Sequence, residues 1–340
     1  MEETLIPGLP YDVSLQILAR VPRQFYSQSM SKVSLSWREA VTSRALFAQR
    51  KCLQVTESWV YTAVVCERGN RPYILWFARN AAVEDSQWWP LPLMREEHRP
   101  ICGFSCAVID ELLFVIGGCE WRTNCTNFPA TNKVSVFNAR TNRWSCVEGM
   151  KDARANFACG VVNGKLFVAG GNKSVDVGTE NSDGMEEFTD CNCLKSAEIY
   201  DPSTKKWAGV GNLIHAMHFI SGRVEDGKLL VCGIVCEGDL QFREVAEVWE
   251  ETEMRWVQLH RESLTDISMF EMDDDHPPPS RGMEIQYESG VITSLSDSCQ
   301  PEFYGNNGLI EMENEEEVNY FGDGLCECEG YRQACLVITL

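Results

Sequence analysis

Histidine and cysteine are the residue types through which this sequence could carry out catalysis or hold a metal. The five histidines have no cysteine or serine partner at the spacing of a known catalytic motif; they are His98, His215, His218, His260 and His276. His215 and His218 precede an apolar run. Histidines in that place are more typically loop or sheet-edge residues than metal ligands. The sequence therefore predicts no catalytic residue.

Two closely spaced cysteine pairs, Cys191 with Cys193 and Cys326 with Cys328, could together offer four thiolates to zinc. Their spacing is not that of a zinc ribbon or finger, and both pairs lie in polar or acidic stretches that are typical of surface thiols. We predict no metal and no cofactor, with a four-thiolate zinc site as the alternative.

The formal charge of -20 is unevenly distributed. Residues 271–329 hold 16 acidic side chains against the single base Arg281, which leaves -5 for the rest of the chain. A nucleic-acid partner is not expected, because phosphate contacts need a basic surface. The acidic stretch is interpreted as a solvated edge with loops, and an acidic recognition surface is the alternative.

The chain starts with MEETLIPGLPYDV, which has neither a basic start nor an apolar run, so a secretory signal is not expected. No stretch is long and apolar enough to predict a membrane span. The 16 cysteines are then expected to be reduced, as in the cytosol or the nucleus.

Apolar residues recur at helical spacing within residues 9–51, a stretch without glycine: Val13, Ile17, Leu18 and Val21. They predict an amphipathic helix with Asp12 as its N-cap and Pro22 as its stop. Further helical segments are expected at 25–32 and 36–41. Residues 1–52 are therefore predicted to form a small all-α module.

From Trp59 onward, short β-type runs with glycine-rich turns replace the helical pattern. Three stretches repeat one pattern of strand, polar turn and strand ending at glycine: CGFSCAVIDELLFVIGG, FACGVVNGKLFVAGG and FISGRVEDGKLLVCG. A variable loop, another strand and a tryptophan follow each copy. Trp89, Trp144, Trp207 and Trp256 lie 55, 63 and 49 residues apart. A period of about 50 residues predicts a β-propeller built from stacked four-stranded sheets.

The first repeat lacks its first strand, and the C-terminal segment YRQACLVITL resembles that missing strand. A C-terminal strand that completes the first blade would close the ring and leave no open sheet edge. Residues 282–322 supply a weak fifth blade, so we predict five blades, with six as the alternative. The propeller is placed at 53–340, with blades at 59–93 plus 332–340, 101–149, 156–211, 218–260 and 282–322.

The N-terminal module resembles a plant F-box, whose usual pattern is Leu-Pro-x-Asp, an apolar helix, Val-Pro, then Val and Trp-Arg. The matching residues are Leu9, Pro10, Asp12, Val13, Ile17, Leu18, Val21, Pro22, Val33, Trp37 and Arg38. The repeats resemble kelch motifs, and the combination is similar to plant F-box/kelch-repeat proteins, above all the KISS ME DEADLY group. The resemblance covers residues 5 to about 260, and the remainder departs from the kelch consensus.

This resemblance implies that the module binds a Skp-type adaptor and, through it, a cullin scaffold. The implied adaptor-binding residues are Ile6, Pro7, Leu9, Pro10, Val13, Ile17, Leu18, Val21, Pro22 and Trp37. For Trp37 and Val33, a place in the core of the module is the alternative.

The resemblance further implies a non-catalytic substrate receptor that delivers a target protein for ubiquitination and degradation. A phenylpropanoid enzyme or a cytokinin-response regulator is the target class that the family suggests. A scaffold or competitor that binds the adaptor without a target is one alternative. The other is a metallo-oxidase, since some kelch propellers are copper oxidases, although the central strands here are mostly apolar.

The target-binding surface is expected in the loops that connect the strands. Two long connections are the candidates, residues 120–132 and 172–194. Their candidate contact residues are Trp121, Phe128, Glu186 and Glu187.

Overall fold

The computed structural model describes residues 4–68, 71–83, 87–95, 100–120, 122, 127–176, 192–237 and 241–259. Three further strand segments, 309–311, 319–321 and 331–339, are described by their backbone pairing. Helices occupy the first part of the chain, and antiparallel sheets follow. Most of the predicted fifth blade lies outside the described residues.

The N-terminal module contains four α-helices and one 3₁₀ turn. They are α1 (Tyr11–Ala19), α2 (Gln24–Gln28), the 3₁₀ turn (Met30–Lys32), α3 (Leu35–Thr42) and α4 (Arg44–Cys52). Helix α4 was not among the predicted helical segments, the last of which ended at residue 41. Serine hydroxyls cap α3 and α4, because Ser34 Oγ accepts from the Trp37 amide and Ser43 Oγ from the Leu46 amide.

The start of α1 differs from the prediction, because Asp12 lies in the first turn and Pro10 occupies the N-cap position. The extended backbone of Pro10 leads into the helix, and its carbonyl accepts hydrogen bonds from the Ser14 amide and hydroxyl. A carboxylate in the first turn still stabilises the helix dipole.

One buried arginine ties the module to the first strand of the sheets. Arg50 is buried and donates to the carbonyls of Ala19, Val21 and Val55. It also forms a 2.6 Å ion pair with Glu57, which directly precedes the first strand. The helices and the sheets therefore share one buried polar network.

Sixteen strands form four antiparallel four-stranded sheets. The first sheet has the order β20-β1-β2-β3, and the others β4-β5-β7-β8, β9-β10-β12-β13 and β14-β15-β16-β17. The first two sheets contain β1 (Ser58–Arg68), β2 (Arg71–Asn80), β3 (Trp89–Pro90), β4 (Cys102–Ile109), β5 (Leu112–Cys119), β7 (Val134–Asn138) and β8 (Arg143–Val147). The next two contain β9 (Ala158–Val162), β10 (Lys165–Ala169), β12 (Ser196–Asp201), β13 (Lys206–Asn212), β14 (His218–Glu225), β15 (Lys228–Glu237), β16 (Gln241–Glu250) and β17 (Arg255–Gln258).

The C-terminal strand β20 (Tyr331–Thr339) pairs antiparallel with β1 and completes the first sheet. Ser58 lies opposite Thr339, and Tyr61 opposite Leu336. This pairing is the one expected from the missing strand of the first repeat. A separate two-stranded ladder joins β18 (Leu309–Glu311) and β19 (Asn319–Phe321), and the number of blades stays a prediction.

Two of the predicted tryptophans link their sheet to the one before it. Trp144 donates its indole N–H to the Pro92 carbonyl at 2.7 Å, and Trp207 donates to the Glu148 carbonyl at 2.8 Å. Each indole also packs on an aromatic ring of its own sheet, such as Phe137 against Trp144 at 5.2 Å. The sheets therefore stack by burying aromatic faces against one another.

Glycine is required where neighbouring sheets come together. Gly117 has a φ of 59°, and a Cβ there would lie 2.5 Å from the Arg154 carbonyl oxygen. Gly170 has a φ of 65°, and its Cβ would lie 2.4 Å from Cδ1 of Ile220 in the next sheet. Only glycine tolerates both the positive φ and the close approach.

The sheets have two distinct ends. The β5–β7 and β10–β12 connections leave from one end, here called the loop end, where β6 (Asn127–Pro129) pairs with β11 (Ser174–Asp176). The β7–β8 turn lies at the opposite end, because β7 runs antiparallel to β5. Arg23 of the module donates to the carbonyl of Ala139 in that turn, and Arg140 donates to the Thr42 carbonyl. The helical module therefore lies at the end opposite the loop end.

Candidate adaptor-binding and target-binding surfaces

Helix α1 has apolar side chains on both faces. Leu15 and Leu18 point into the core of the module, where they pack with residues of the other helices. Val13 and Ile17 lie four residues apart on the outward face and are 37% and 44% exposed. A helix that served only the core of its own module would carry polar residues on its outward face. This exposed apolar face is the candidate adaptor-binding surface.

The predicted residues that flank α1 differ in exposure. Pro7, Pro10 and Pro22 are exposed, and Leu9 is half-buried. Ile6 and Val21 are half-buried and pack against the core of the module, so a part of each side chain faces solvent.

Two predicted contact residues have a structural role. Leu18 is 2% exposed, so it supports α1 from inside and does not present a surface. Trp37 is half-buried, packs against the same core and donates its indole N–H to the Leu5 carbonyl at 2.7 Å. Val33, for which a core position was the alternative, is exposed.

Further apolar side chains of the module are exposed, and the helical periodicity did not single them out. They are Tyr11 at the start of α1, Phe25 in α2, and Val33 and Leu35 around the start of α3. Leu35 is 71% exposed, the largest value among them. The sequence could have indicated them, because they are apolar residues outside the helical spacing of Val13, Ile17 and Val21.

At the loop end, the described part of the candidate target-binding loops is tied to the sheets. The short β6–β11 ladder joins connections from two neighbouring sheets, and the Ala130 amide donates to the Lys173 carbonyl at 2.8 Å. Phe128 is buried in a small cluster with Cys119 and Ala155, so its ring is not at the surface in this state. Trp121, Glu186 and Glu187 lie outside the described residues.

A buried ion pair supports the base of the β10–β12 connection. Arg154 is fully buried, donates to Glu198 at 2.7 Å and also donates to the carbonyls of Gly170 and Ser196. Glu198 accepts further hydrogen bonds from the amides of Lys151 and Asp152. These bonds hold the two ends of that connection together.

In the next sheet, the corresponding buried glutamate is Glu247, and its side-chain partner is a histidine. Glu247 accepts from the amides of Ile214 and His215, as Glu198 does from residues 151 and 152. This correspondence places Met217 where the preceding sheet has Arg154. The ring of His215 approaches Glu247 instead, with 2.9 Å between Nδ1 and Oε1.

The structure brings together a cysteine and a histidine that sequence spacing had not paired. Cys193 Sγ lies 3.4 Å from Nδ1 of His218, although the two residues are 25 positions apart. Cys193 lies in the β10–β12 connection, and His218 is the first residue of β14 in the next sheet. Both side chains are partly exposed at the loop end. Only the stacking of the sheets could reveal this contact.

Other thiols differ in their acidity for clear physical reasons. Burial raises the pKa of Cys232 to about 11, and it also raises the pKa of the buried Cys106 well above its ordinary value. Cys102 and Cys119 lie opposite each other on β4 and β5. A hydrogen bond from Cys119 lowers the pKa of Cys102, and the same bond raises that of Cys119.

Within the described residues, no group of three or more His, Cys, Asp or Glu side chains is arranged to hold a metal ion. Three of the four cysteines of the alternative zinc site, Cys191, Cys326 and Cys328, lie outside those residues. Among the helices that the structure describes, none is long and apolar enough to cross a membrane.

Comparison with known proteins identifies the repeats. A Kelch motif matches residues 100–151 and 153–213. F-box/kelch-repeat protein At1g22040 of Arabidopsis thaliana is 33% identical over 255 residues, which cover 62% of this chain and 47% of that protein. F-box/kelch-repeat protein At1g67480 of the same plant is 30% identical over 241 residues, or 68% of this chain and 56% of that protein. The chain thus spans about half the length of these relatives.

Among solved structures, that of YjhT matches with a TM-score of 0.44 and 18% identity over 58% of this chain and 64% of that one. The kelch-type β-propeller fold follows instead from the motif match and the succession of antiparallel four-stranded sheets. The finer resemblance to the KISS ME DEADLY group stays a prediction. The chain is a relative of the plant F-box/kelch-repeat proteins, as its sequence predicted.

Proposed function

We propose that this protein is the substrate-recognition subunit of a Skp-cullin-F-box ubiquitin ligase. The helical module binds the Skp-type adaptor, and the loop end binds a target protein for ubiquitination and degradation. The observation that carries the proposal is the exposed apolar face of α1 on a module whose own core is already filled.

The apolar face is suited to a stable protein partner. Val13 and Ile17 face solvent together, and Leu35 and Val33 add exposed apolar area at the start of α3. Several exposed apolar side chains on one small module are unfavourable in water and typically mark a binding site. Few charged side chains need to be desolvated when such a face is covered, so binding there is favourable.

The opposite placement of module and loops supports the division of roles. An adaptor bound to α1 leaves the loop end accessible to a target. The receptor then acts by holding the target near the conjugating enzyme, and proximity rather than side-chain chemistry accelerates the transfer. We therefore propose a non-catalytic role without a cofactor.

The finer assignments belong to the same proposal. Residues 1–52 form the F-box module, and residues 53–340 form a five-bladed propeller that β20 closes, with six blades as the alternative. The protein acts in the cytosol or the nucleus. Its target is a phenylpropanoid enzyme or a cytokinin-response regulator, a choice supported by family resemblance alone.

Two isoleucines of equal exposure give a matched test of the adaptor surface. Ile17 is 44% exposed on α1, and Ile214 is 45% exposed between β13 and β14. Ile17→Ser should weaken capture of a Skp-type adaptor by about 10- to 100-fold, the range for a central apolar contact residue. Ile214→Ser should leave adaptor capture unchanged.

Replacement of Leu9 and Pro10 by alanine should also remove adaptor binding while the sheets stay folded. Undiminished adaptor recovery by the Ile17 and the Leu9/Pro10 variants would contradict the proposed surface. Circular dichroism of each variant checks that the loss of binding is not a loss of folding.

A second experiment separates a receptor from a competitor that binds the adaptor without delivering a target. Affinity purification with the proteasome inhibited should enrich a target along with adaptor and cullin. The half-life of that target should lengthen when this protein is lost, whereas a competitor would leave it unchanged or shorten it. Stoichiometric copper in the purified protein would favour the metallo-oxidase alternative.

A further inference from the structure

At the loop end, the Cys193 thiol lies against the imidazole of His218. Sγ is 3.4 Å from Nδ1 and 3.8 Å from Nε2. We propose that this pair makes Cys193 a covalent modification site for soft carbon electrophiles of the α,β-unsaturated carbonyl class. The site is separate from the adaptor surface, and its chemistry does not depend on the proposed ligase role.

The backbone holds both members of the pair in place. Cys193 forms an isolated antiparallel bridge with Asn172, and the Leu194 amide donates to the Gly171 carbonyl at 2.7 Å. His218 is the first residue of β14, where it pairs with Ile234 of β15. The contact therefore joins two anchored segments.

The imidazole supplies the base that a thiol nucleophile needs. The thiolate, and not the neutral thiol, attacks electrophiles, and a neighbouring histidine increases its population near neutral pH. Asn172 Oδ1 lies 3.5 Å from Sγ, where it accepts from the neutral thiol. Asn172 therefore favours the neutral form, whereas His218 favours the thiolate.

The proposed step is a conjugate addition that needs no oxidant. His218 takes the proton from Sγ, and the resulting thiolate attacks the β-carbon of the electrophile. The π electrons move onto the carbonyl as an enolate, and the imidazolium returns its proton to the α-carbon. One S–H bond and one C=C π bond break, while one S–C and one C–H bond form.

Partial exposure allows a small electrophile to reach the sulfur. Cys193 and His218 are both half-buried rather than enclosed. An adduct on Cys193 would lie at the base of the β10–β12 connection, where Asn172 and Cys193 now bridge. Modification would thus alter the loop end, which carries the proposed target-binding loops.

The chain contains its own reference thiols for a test. Cys52 and Cys146 are exposed, and Cys232 is buried with a pKa of about 11. Native protein is treated at pH 7 with limiting N-ethylmaleimide, and the rate at each cysteine is measured by peptide mass spectrometry. Cys193 should react at least about five times faster than Cys52 or Cys146 despite its lower exposure, because its thiolate fraction is higher.

The variant His218→Gln tests the base directly. It should reduce the rate at Cys193 by about fivefold or more, to that of an ordinary thiol, and leave the rates at Cys52 and Cys146 unchanged. Continued protection of Cys232 shows that the variant is folded. In urea, Cys193 should react no faster than Cys52 or Cys146 in either protein.

If His218→Gln fails to fold, Cys193→Ser provides the second measurement. The intact mass of the native protein should show one rapidly added label, and Cys193→Ser should abolish this rapid labelling. A native Cys193 that reacts no faster than Cys52 and Cys146 would overturn the proposal. A rate at Cys193 that does not change in folded His218→Gln would overturn it as well.

Discussion

The substitution Arg154→Met removes the cation of a buried ion pair. It introduces the residue type that the chain carries at the corresponding position before the next sheet, Met217. Arg154 is fully buried and bonds to Glu198 at 2.7 Å, and Met217 is also buried. Arg154→Met removes the cation and keeps most of the buried apolar length. We expect a large loss in the free energy of unfolding, because Glu198 stays buried without its cationic partner.

The magnitude follows from the contacts that remain. Breaking a buried ion pair by removing one partner costs about 3–5 kcal/mol. Glu198 keeps hydrogen bonds of 2.6 and 3.1 Å from the amides of Lys151 and Asp152, which reduces the cost. The carbonyls of Gly170 and Ser196 lose a donor, which increases it. The expected net loss is therefore about 3–4 kcal/mol, within the range for buried pairs.

Urea unfolding of a double-mutant cycle measures this loss. Arg154→Met combined with Glu198→Gln should recover at least about 1.5 kcal/mol relative to the sum of the single losses, because neither charge is left unpaired. Lys228→Met is the matched control, since Lys228 pairs with Glu250 at 2.6 Å on the surface. That exposed pair should contribute less than about 1 kcal/mol.

Two results would refute the reasoning about the buried pair. One is an Arg154→Met variant that loses no more stability than Lys228→Met. The other is strict additivity of the Arg154 and Glu198 substitutions, since groups that form one network should be coupled.

Three further predictions test the sheets and the thiols. In thermal or urea unfolding, Gly117→Ala should lower the free energy of unfolding by more than about 3 kcal/mol, and Gly164→Ala by only about 1 kcal/mol. Both glycines have a positive φ, but only at Gly117 do neighbouring atoms occupy the place of a Cβ. Deletion of residues 332–340 should expose the edge of β1 and cause aggregation or a non-cooperative transition, whereas an unchanged melting transition would contradict closure by β20. At pH 8 the native Cys232 thiol should resist alkylation while Cys146 reacts, because burial raises the pKa of Cys232 to about 11; equal labelling by mass spectrometry would contradict this.

The succession of elements could be predicted from local patterns. The i, i+4 spacing of Val13 and Ile17 indicated α1, and the repeated strand-turn-strand pattern indicated the sheets. The absent first strand of the first repeat also pointed to β20, because β1 would otherwise have an unpaired edge. These features depend on periodicity, turn chemistry and hydrogen-bond satisfaction, which neighbouring residues determine.

The assignment of individual side chains to surface or core required the tertiary structure. Leu18 and Ile17 are adjacent apolar residues on α1, yet only the packing of the module places one inside and the other outside. Phe128 stood out as a loop aromatic, but the ladder between two neighbouring sheets buries it.

Chemistry that joins different sheets was also invisible in the sequence. Cys193 had been interpreted as a plain surface cysteine and His218 as an edge residue. Their side chains meet because the end of the β10–β12 connection packs against the start of β14 in the next sheet. By itself, the sequence determined which elements form and that they repeat, because short-range spacing sets helix, strand and turn. The tertiary structure decided which side chains meet, because that depends on how separate sheets and helices pack.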